Sequence, residues 1–448
     1  MRTFKIETLG CKVNEYESAY YIQQLEEAGF RMAEEGEPAD VLVINTCTVT
    51  NTAAAKSRRK IGRLRRENPG AISAACGCYV QVSSPEERQA LGVDLLIGAA
   101  HKDELAERII SALDERDGKQ PDNAKVKAKK EGKSLDLVEE AQDLTRFESM
   151  PIGHFEGQHR AFLKIQDGCN QYCAYCQIPL ARGPERSQIP ADVIESAKHL
   201  AQSGHQEIVL TGIHTGRYHF RDTNLTQLLA MLLEETPENV CYRLSSIEIT
   251  EVTDELLDLM EKNPRILPHL HIPIQAGDDR TLARMKRPYT TEYFKTRLEE
   301  IRRRIPRISI STDVITGFVG ETDDEFETTV QTLKDCAFSF LHVFPYSRRK
   351  GTAADSMTGF VPGPVSKQRA DVLLDLSKTL READMKRFDC VEALIEREDP
   401  HQPGVYIGYS AQYHPVAVCS KMPLSGRIDV RISEIDGGRY VGRMEESK

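Results

Sequence analysis

No run of apolar residues in this sequence is long enough to span a bilayer. Its N-terminus, MRTFKIETLG, has neither a basic leader running into an apolar stretch nor a small-residue cleavage site. A soluble, cytoplasmic protein with no membrane partner is expected. Also missing is the closely spaced cysteine framework of a small disulfide-stapled domain. The 11 cysteines are odd in number, and in a reducing compartment they read as metal ligands, redox groups or buried apolar residues. Positive charge is in deficit too: a formal net charge of -10 argues against a protein that coats nucleic acid indiscriminately, while leaving room for a local basic surface.

What is present is ordinary globular material. The 448 residues, 40% hydrophobic and 29% charged, suffice for about three domains. Residues 1–115 alternate short apolar runs such as VLVINTC and AISAACGCY with charged, helix-like segments, the rhythm of a small α/β domain with a parallel sheet. From Asp114 to Gln142 the pattern dissolves into Lys, Asp, Glu and Gly, including KVKAKKEGK, and residues 116–150 read as an exposed charged linker. Residues 151–376 repeat a strand-then-helix unit six times: AFLKIQ, EIVLTGI, YRLSSIEI, PHLHIPI, ISISTDVITGF and FLHVFPYS. That predicts an open β/α barrel with its chemistry at the C-terminal strand ends. Residues 377–448 hold short strands broken by Gly and Pro, the pattern of a small β-barrel.

The sharpest local signal is Cys169, Cys173 and Cys176 in DGCNQYCAYCQIP, directly after the first predicted barrel strand. Three thiolates on one tight loop can each hold one iron of a cubane cluster and leave the fourth iron open. A structural zinc site is the alternative, although the loop itself offers no His or fourth Cys. A second set, Cys11, Cys47 and Cys78, follows three predicted strand ends, so a parallel sheet would gather them on one edge, as suits a second cluster. Any one of them alone would read as a buried apolar thiol. Cys76, alternating with Cys78, should face the opposite way and belong to the core; Cys241, Cys336, Cys390 and Cys419 lie in apolar segments and read likewise.

TLGCKVNEYES, VINTCTVT and GCYVQ are followed in order by GCNQYCAYC, ARGPERSQ, LSSIEI, HIPIQAG, TGFVGET and FPYSRRKGTAA. Together they resemble the methylthiotransferases of the radical S-adenosylmethionine (SAM) superfamily over essentially the whole chain. The resemblance implies an auxiliary 4Fe-4S cluster on Cys11, Cys47 and Cys78, and a SAM-binding 4Fe-4S cluster on Cys169, Cys173 and Cys176. One SAM would methylate a sulfur at the auxiliary cluster; a second would yield the radical that opens a substrate carbon to the methylthio group. It also implies a C-terminal RNA-binding TRAM domain and an electron donor such as flavodoxin or ferredoxin. TLGCKVN and KIQDGCN are most similar to the branch acting on N6-threonylcarbamoyladenosine at position 37 of tRNA, in the anticodon loop. The isopentenyladenosine branch usually has Gln-Met-Asn after the first Cys, and the branch acting on a ribosomal-protein aspartate has Pro-Lys-Asn; here Lys12, Val13 and Asn14 follow. A non-enzymatic iron-sulfur sensor that binds RNA is the third class, although it needs no six-unit barrel.

By the same resemblance Thr211, Gly212, Glu248, Gln275, Asp313, Ile315 and Gly317 are nominated to hold SAM, each also readable as a satisfied polar group in a turn. Arg182 and Arg186 are nominated for the SAM carboxylate or a substrate anion through their planar forks, against a surface ion pair. Arg348, Arg349 and Lys350 are candidates for the threonylcarbamoyl carboxylate or simply solvated surface. Val319 stands where the family usually has Pro, Ala276 where it has Ser, and no Gly follows Tyr218. KSRRKIGRLRR, Lys56 to Arg66, concentrates positive charge on a predicted helix where tRNA phosphates could dock, or forms a solvated face. Glu396, Glu398, Asp399, Glu434 and Asp436 make the terminal barrel acidic.

Overall fold

The computed structural model describes residues 1–118, 134–155 and 158–445. They form two compact units, each assembled from separate stretches of chain. The first comprises Met1–Ile152, Gln166–Gln188 and Ser347–Thr352; the second comprises Gly153–Ile165, Ile189–Tyr346 and Ala353–Lys448. Among the described residues, no helix is long and apolar enough to cross a membrane.

The first unit is built on an all-parallel sheet of β1 (Thr3–Thr8), β2 (Arg31–Met32), β3 (Val41–Thr46), β4 (Ile72–Gly77), β5 (Leu95–Ile97) and β6 (Leu135–Asp136). Its strand order is β2-β1-β3-β4-β5-β6. Crossovers are α1 (Lys12–Glu27), α2 (Asn51–Glu67), the short α3 (Cys78–Val82) and α4 (Pro85–Ala90), and α5 (Leu105–Arg116). Every residue of β3 and β4 is buried, which explains why VLVINT and ISAACG read as nearly unbroken runs of small or apolar residues: helices cover both faces of the sheet. Ala54, Ile61 and Leu64 of α2 form its inner face and cluster with Leu42 and Ile44, while the Thr50 hydroxyl caps the helix by accepting from the Ala53 amide at 3.1 Å.

Polar composition between Asp114 and Gln142 does not translate into linker throughout. Helix α5 runs to Arg116, and Leu135–Asp136 join the sheet as β6, fixed by an Arg88–Asp136 ion pair of 2.7 Å. A two-residue strand has too little pattern to be visible in sequence. The KVKAKKEGK run lies outside the described residues. Also in this unit are a ribbon, Gln166–Asp167 against Arg186–Ser187, and the helix α6 (Ile178–Arg182), which follows the Cys169–Cys176 loop.

The second unit carries the six expected barrel strands. Arg160–Lys164, Glu207–Thr211 and Cys241–Leu244 make one parallel sheet; His269–His271, Ser309–Thr316 and Phe340–Pro345 make another. Parallel bridges Tyr242–Ile266 and Ser246–His271 join them, giving six strands in chain order, open between the first and last. The terminal strands Cys390–Glu398, Val405–Ser410, Pro415–Cys419, Gly426–Asp436 and Arg439–Met444 close a five-stranded barrel around Val391, Val416, Val430 and Tyr440. The change of sequence character at Leu376 is not a structural break. Residue 376 lies inside the helix Gly363–Met385, whose buried face continues through Ser377 to Asp384, where the carboxylate meets Ser309 and His414 at 2.5 and 2.7 Å.

Candidate cluster sites and SAM-binding strand ends

Strand order 2-1-3-4-5 places the topological switch point between β1 and β3, where ligands bind at the carboxyl ends of an open parallel sheet. Cys11 follows β1, Cys47 follows β3 and Cys78 follows β4, so the second cysteine set occupies that position. The loops converge closely: a Cβ built on Gly10 would stand 3.0 Å from the Cys47 Cβ, and Gly10 holds a φ of +124° that few other residues adopt. Cys47 and Cys78 are buried and Cys11 is exposed. Burial pushes the Cys47 thiol up to about 11, so ligation there must displace a proton. Cys76 is a core residue, its thiol 3.7 Å from the Ile44 carbonyl and pushed up to about 12 by burial. What separates it from Cys78 is not strand alternation, which puts residues two apart on one face, but the turn at Gly77 (φ +94°), after which Cys78 opens α3.

The Cys169–Cys176 loop is closed by Gly168, at φ +74°, where any Cβ would collide with the Pro184 carbonyl at 1.9 Å; the Cys169 amide then donates to the Gly183 carbonyl at 3.1 Å. A local motif recurs in both sets. The amide two residues on donates to the cysteine sulfur at Cys47 (from Val49, 3.5 Å), Cys169 (from Gln171, 3.4 Å) and Cys176 (from Ile178, 3.4 Å). Sulfurs held as acceptors are prepared for the thiolate state, and N–H···S bonds are a recognised means of tuning iron-sulfur clusters. Single-zinc geometry would bring thiolates to about 3.8 Å of one another, given Zn–S bonds of about 2.3 Å. Among the described residues, neither set brings its three sulfurs within 4.8 Å of one another.

Arg182, the last residue of α6, is fully buried. Its Nε donates to the Cys78 sulfur at 3.2 Å, its Nη1 to Glu17 at 2.6 Å and its Nη2 to Asn14 at 2.8 Å, with Asp167 at 3.3 Å. Burial opposes its charge, but Cys78 and Glu17 more than offset this and hold it well above the ordinary guanidinium value. Arg186 donates to the carbonyls of Leu144, Arg182 and Pro184. Neither fork is a surface ion pair: Arg182 is engaged by carboxylates, Asn14 and a thiol, and Arg186 by backbone carbonyls through Nη1, while the buried Arg186 Nε has no hydrogen-bond partner among the described residues.

A family model described as the Radical SAM superfamily matches residues 163–333, and that of the uncharacterized protein family UPF0004 matches residues 3–98. The threonylcarbamoyladenosine tRNA methylthiotransferase MtaB of Bacillus subtilis strain 168 is 37% identical over 98% of this chain and 95% of its own length. The chain belongs to the radical SAM tRNA methylthiotransferase family. The protein of the same description from Thermotoga maritima is 36% identical over 92% of this chain and 90% of its own length. A tRNA-2-methylthio-N(6)-dimethylallyladenosine synthase of Moorella thermoacetica is 32% identical, with 99% and 98% covered. Among solved structures, the radical S-adenosylmethionine methyltransferase TsrM of Kitasatospora setae superposes with a TM-score of 0.57 at 15% identity, over 79% of this chain and 77% of that one; this likeness speaks to fold alone.

In this methylthiotransferase the other residues nominated for SAM lie along the strand ends of the second unit. Asp313 and Ile315 share one face of Ser309–Thr316, Gly317 follows the strand's end at φ +70°, and the Ile315 amide donates to the Gln275 carbonyl at 2.9 Å. Gln275 adopts φ +65°, a strained conformation for a non-glycine residue and typical of ligand clamps. Asp313 pairs with His271 at 3.2 Å, Glu248 pairs with the buried Arg287, Thr211 is buried and Gly212 is partly exposed. Gly317 has a different reason from the one expected: a Cβ there would strike Ser366 Oγ at 2.4 Å, and its amide is already given to Glu321 at 2.7 Å. The packed helix and a φ of +70° each call for glycine at this position. Val319 and Ala276, the family departures, are both buried side chains.

Sequence reasoning passed over Asn14, Glu17 and Lys102. Asn14 and Glu17 lie three and six residues after Cys11 on α1 and are buried despite their polarity; Lys102, also buried, pairs with Glu17 at 2.7 Å. It also undervalued Arg349, which is buried rather than solvated. That side chain donates to Gln177 at 2.7 Å, Asn51 at 2.6 Å and Thr48, tying the residue after Cys47 to the residue after Cys176. Arg348 and Lys350 are exposed. Of the cysteines expected in the core, Cys241 and Cys336 are buried, but Cys390 is half-buried and Cys419 exposed at strand ends.

Proposed function

We propose that this chain converts N6-threonylcarbamoyladenosine at position 37 of tRNA to its 2-methylthio derivative. The observation that carries the reading is the presence, in one compact unit, of two cysteine triads, with backbone amides donating to the sulfurs of Cys47, Cys169 and Cys176. The names of the relatives matched over most of this chain at 36–37% identity support the threonylcarbamoyl substrate over the dimethylallyl one. Cys169, Cys173 and Cys176 would hold the cluster whose open iron takes SAM, and Cys11, Cys47 and Cys78 the auxiliary cluster. Together with SAM, such clusters supply the single-electron chemistry and the sulfur that methylthiolation needs. The chain's own contribution is to keep sulfurs as hydrogen-bond acceptors, to hold the two cysteine loops together through Arg349, and to present Gln275 and Asp313 at the strand ends.

Residues 1–115 would serve the auxiliary cluster, 151–376 SAM and substrate, and 377–448 RNA as a TRAM domain, in the cytoplasm, with a flavodoxin- or ferredoxin-class electron donor. The tRNA would also meet α2. Its outer face carries exposed Lys56, Arg59 and Arg66 among others, and its inner face is apolar. Replacing those three with Gln is expected to make the dependence of log affinity for tRNA on log salt shallower by about 2–3, with iron content unchanged; binding titrations over a KCl series check this.

The decisive experiment compares nucleosides of total tRNA, by mass spectrometry, from cells lacking the gene and from the same cells complemented with wild type or Cys173→Ala. The methylthio nucleoside should vanish, return with wild type and stay absent with the variant. Unchanged tRNA in the deletion refutes the substrate.

A further inference from the structure

The Arg182 side chain joins two parts of the chain that the chemistry requires together. It ends the helix that starts two residues after Cys176, and its donors reach the residues around Cys11 and Cys78. A guanidinium has five donors and no acceptor, so the Cys78 sulfur is necessarily the acceptor in their 3.2 Å contact. The surroundings are rich in buried charge. Arg182 and Lys102 face Glu17 and Asp167, all four buried, and Glu17 takes a hydrogen bond from each cation, at 2.6 and 2.7 Å. Arg186, also buried, adds a third cation 3.8 Å from Asp167, and Arg182 brings one of these positive charges directly onto a cysteine sulfur.

A salt bridge serving only to fold the chain would need no donor on sulfur. Here Nε, the donor nearest the side-chain stem, is directed to Cys78, while the two terminal nitrogens serve the carboxylates and Asn14. Charge and hydrogen bonds at ligand sulfurs set the potential of an iron-sulfur cluster, because each added electron makes the cluster more negative and a fixed cation stabilises that state.

We infer that Arg182 is a positioning residue for the auxiliary cluster: its Nε–H orients the Cys78 thiolate and raises that cluster's reduction potential. Because Arg182 is borne on the helix after the Cys169–Cys176 loop, the auxiliary site is complete only when that loop is seated. The inference rests on the reading of Cys11, Cys47 and Cys78 as ligands, and the test separates the two.

The test uses the full chain with Cys169, Cys173 and Cys176 all replaced by Ala, reconstituted anaerobically with iron and sulfide, so that one cluster remains. Its one-electron reduction by dithionite is followed by electron paramagnetic resonance in a mediated titration. At the midpoint of the parent, Glu17→Gln/Arg182→Gln should show a ratio of reduced to oxidised cluster about tenfold lower, as expected for losing a hydrogen bond to a charged acceptor. Pairing the two substitutions avoids leaving Glu17 without its counter-charge. Arg182→Lys keeps the charge but not the fork, and should shift the midpoint less, in the same direction, with altered Fe–S stretching frequencies. If the double variant does not fold, Arg182→Lys decides by itself. Variants that hold iron with the parent's midpoint and Fe–S frequencies would overturn the role of Arg182. A parent that retains no four-iron cluster would instead overturn the ligand assignment, and the inference with it.

Discussion

Cys47→Ala should leave about four irons per chain in place of about eight, and should abolish methylthiolation while reductive cleavage of SAM to 5′-deoxyadenosine continues. Cys47 sits at the sheet's switch point between the loops of Cys11 and Cys78, so its loss opens the auxiliary set. The loop of Cys169, Cys173 and Cys176 keeps its own closure, from the Cys169 amide to the Gly183 carbonyl and from the Cys176 amide to the Cys173 carbonyl at 3.0 Å. Cys176→Ala should abolish both activities. Iron and sulfide analysis, with chromatography of 5′-deoxyadenosine and of the modified nucleoside, reads all three quantities. Equal loss of SAM cleavage in the two variants would count against separate roles for the two sets.

The second large effect concerns stability. Glu207 is buried between Arg160, at 2.8 Å, and Arg243, at 2.7 Å, and despite the cost of burial these two cations hold its carboxyl at about 2. Arg243 also donates to the Ala411 carbonyl of the terminal barrel at 2.9 Å and lies over the Tyr413 ring. Glu207→Gln leaves two buried guanidiniums without their shared anion, and should destabilise the protein by about 3–5 kcal/mol at neutral pH, measured by urea unfolding. The pH dependence follows from the depressed value. Between the ordinary carboxyl value of 4.5 and about 2, the unfolded wild type binds a proton that the folded form does not, so wild type loses stability as pH falls through that window. The variant lacks this slope, and the gap between the two proteins should narrow there. A gap that stays constant down to pH 3 would show that lost packing, not charge, sets the effect.

The placing of Cys11, Cys47 and Cys78 beyond three parallel strand ends was legible because VLVINT and ISAACG are distinct apolar runs; the separation of Cys78 from Cys76 was not, since it comes from the turn at Gly77 and not from the strand period. The six barrel strands were legible because each is a distinct apolar run. What sequence could not supply was pairing across distance. ARGPERS shows two cations beside a cysteine loop, but the partner of Arg182 is Glu17, 165 residues away. Arg349 could not be told from Arg348 and Lys350, all three being candidates for a substrate carboxylate or solvated surface, since burial of a single member leaves no mark on an RRK run. Leu135–Asp136 was hidden by the polarity of its neighbours, and the boundary near Leu376 by a helix that changes partners without changing its own geometry.

The first unit draws on chain as late as Thr352, and this has a consequence for biogenesis. Arg349 and its acceptor Thr48 are 301 residues apart, so at about 5–20 residues per second a ribosome needs roughly 15–60 s to deliver the one after the other. During that interval Cys11 and Cys47 have left the ribosome while the residues that close their surroundings are still unsynthesised. Iron delivered early would meet open, oxidisable thiols. The surroundings of these two cysteines are therefore complete only after Arg349 has emerged.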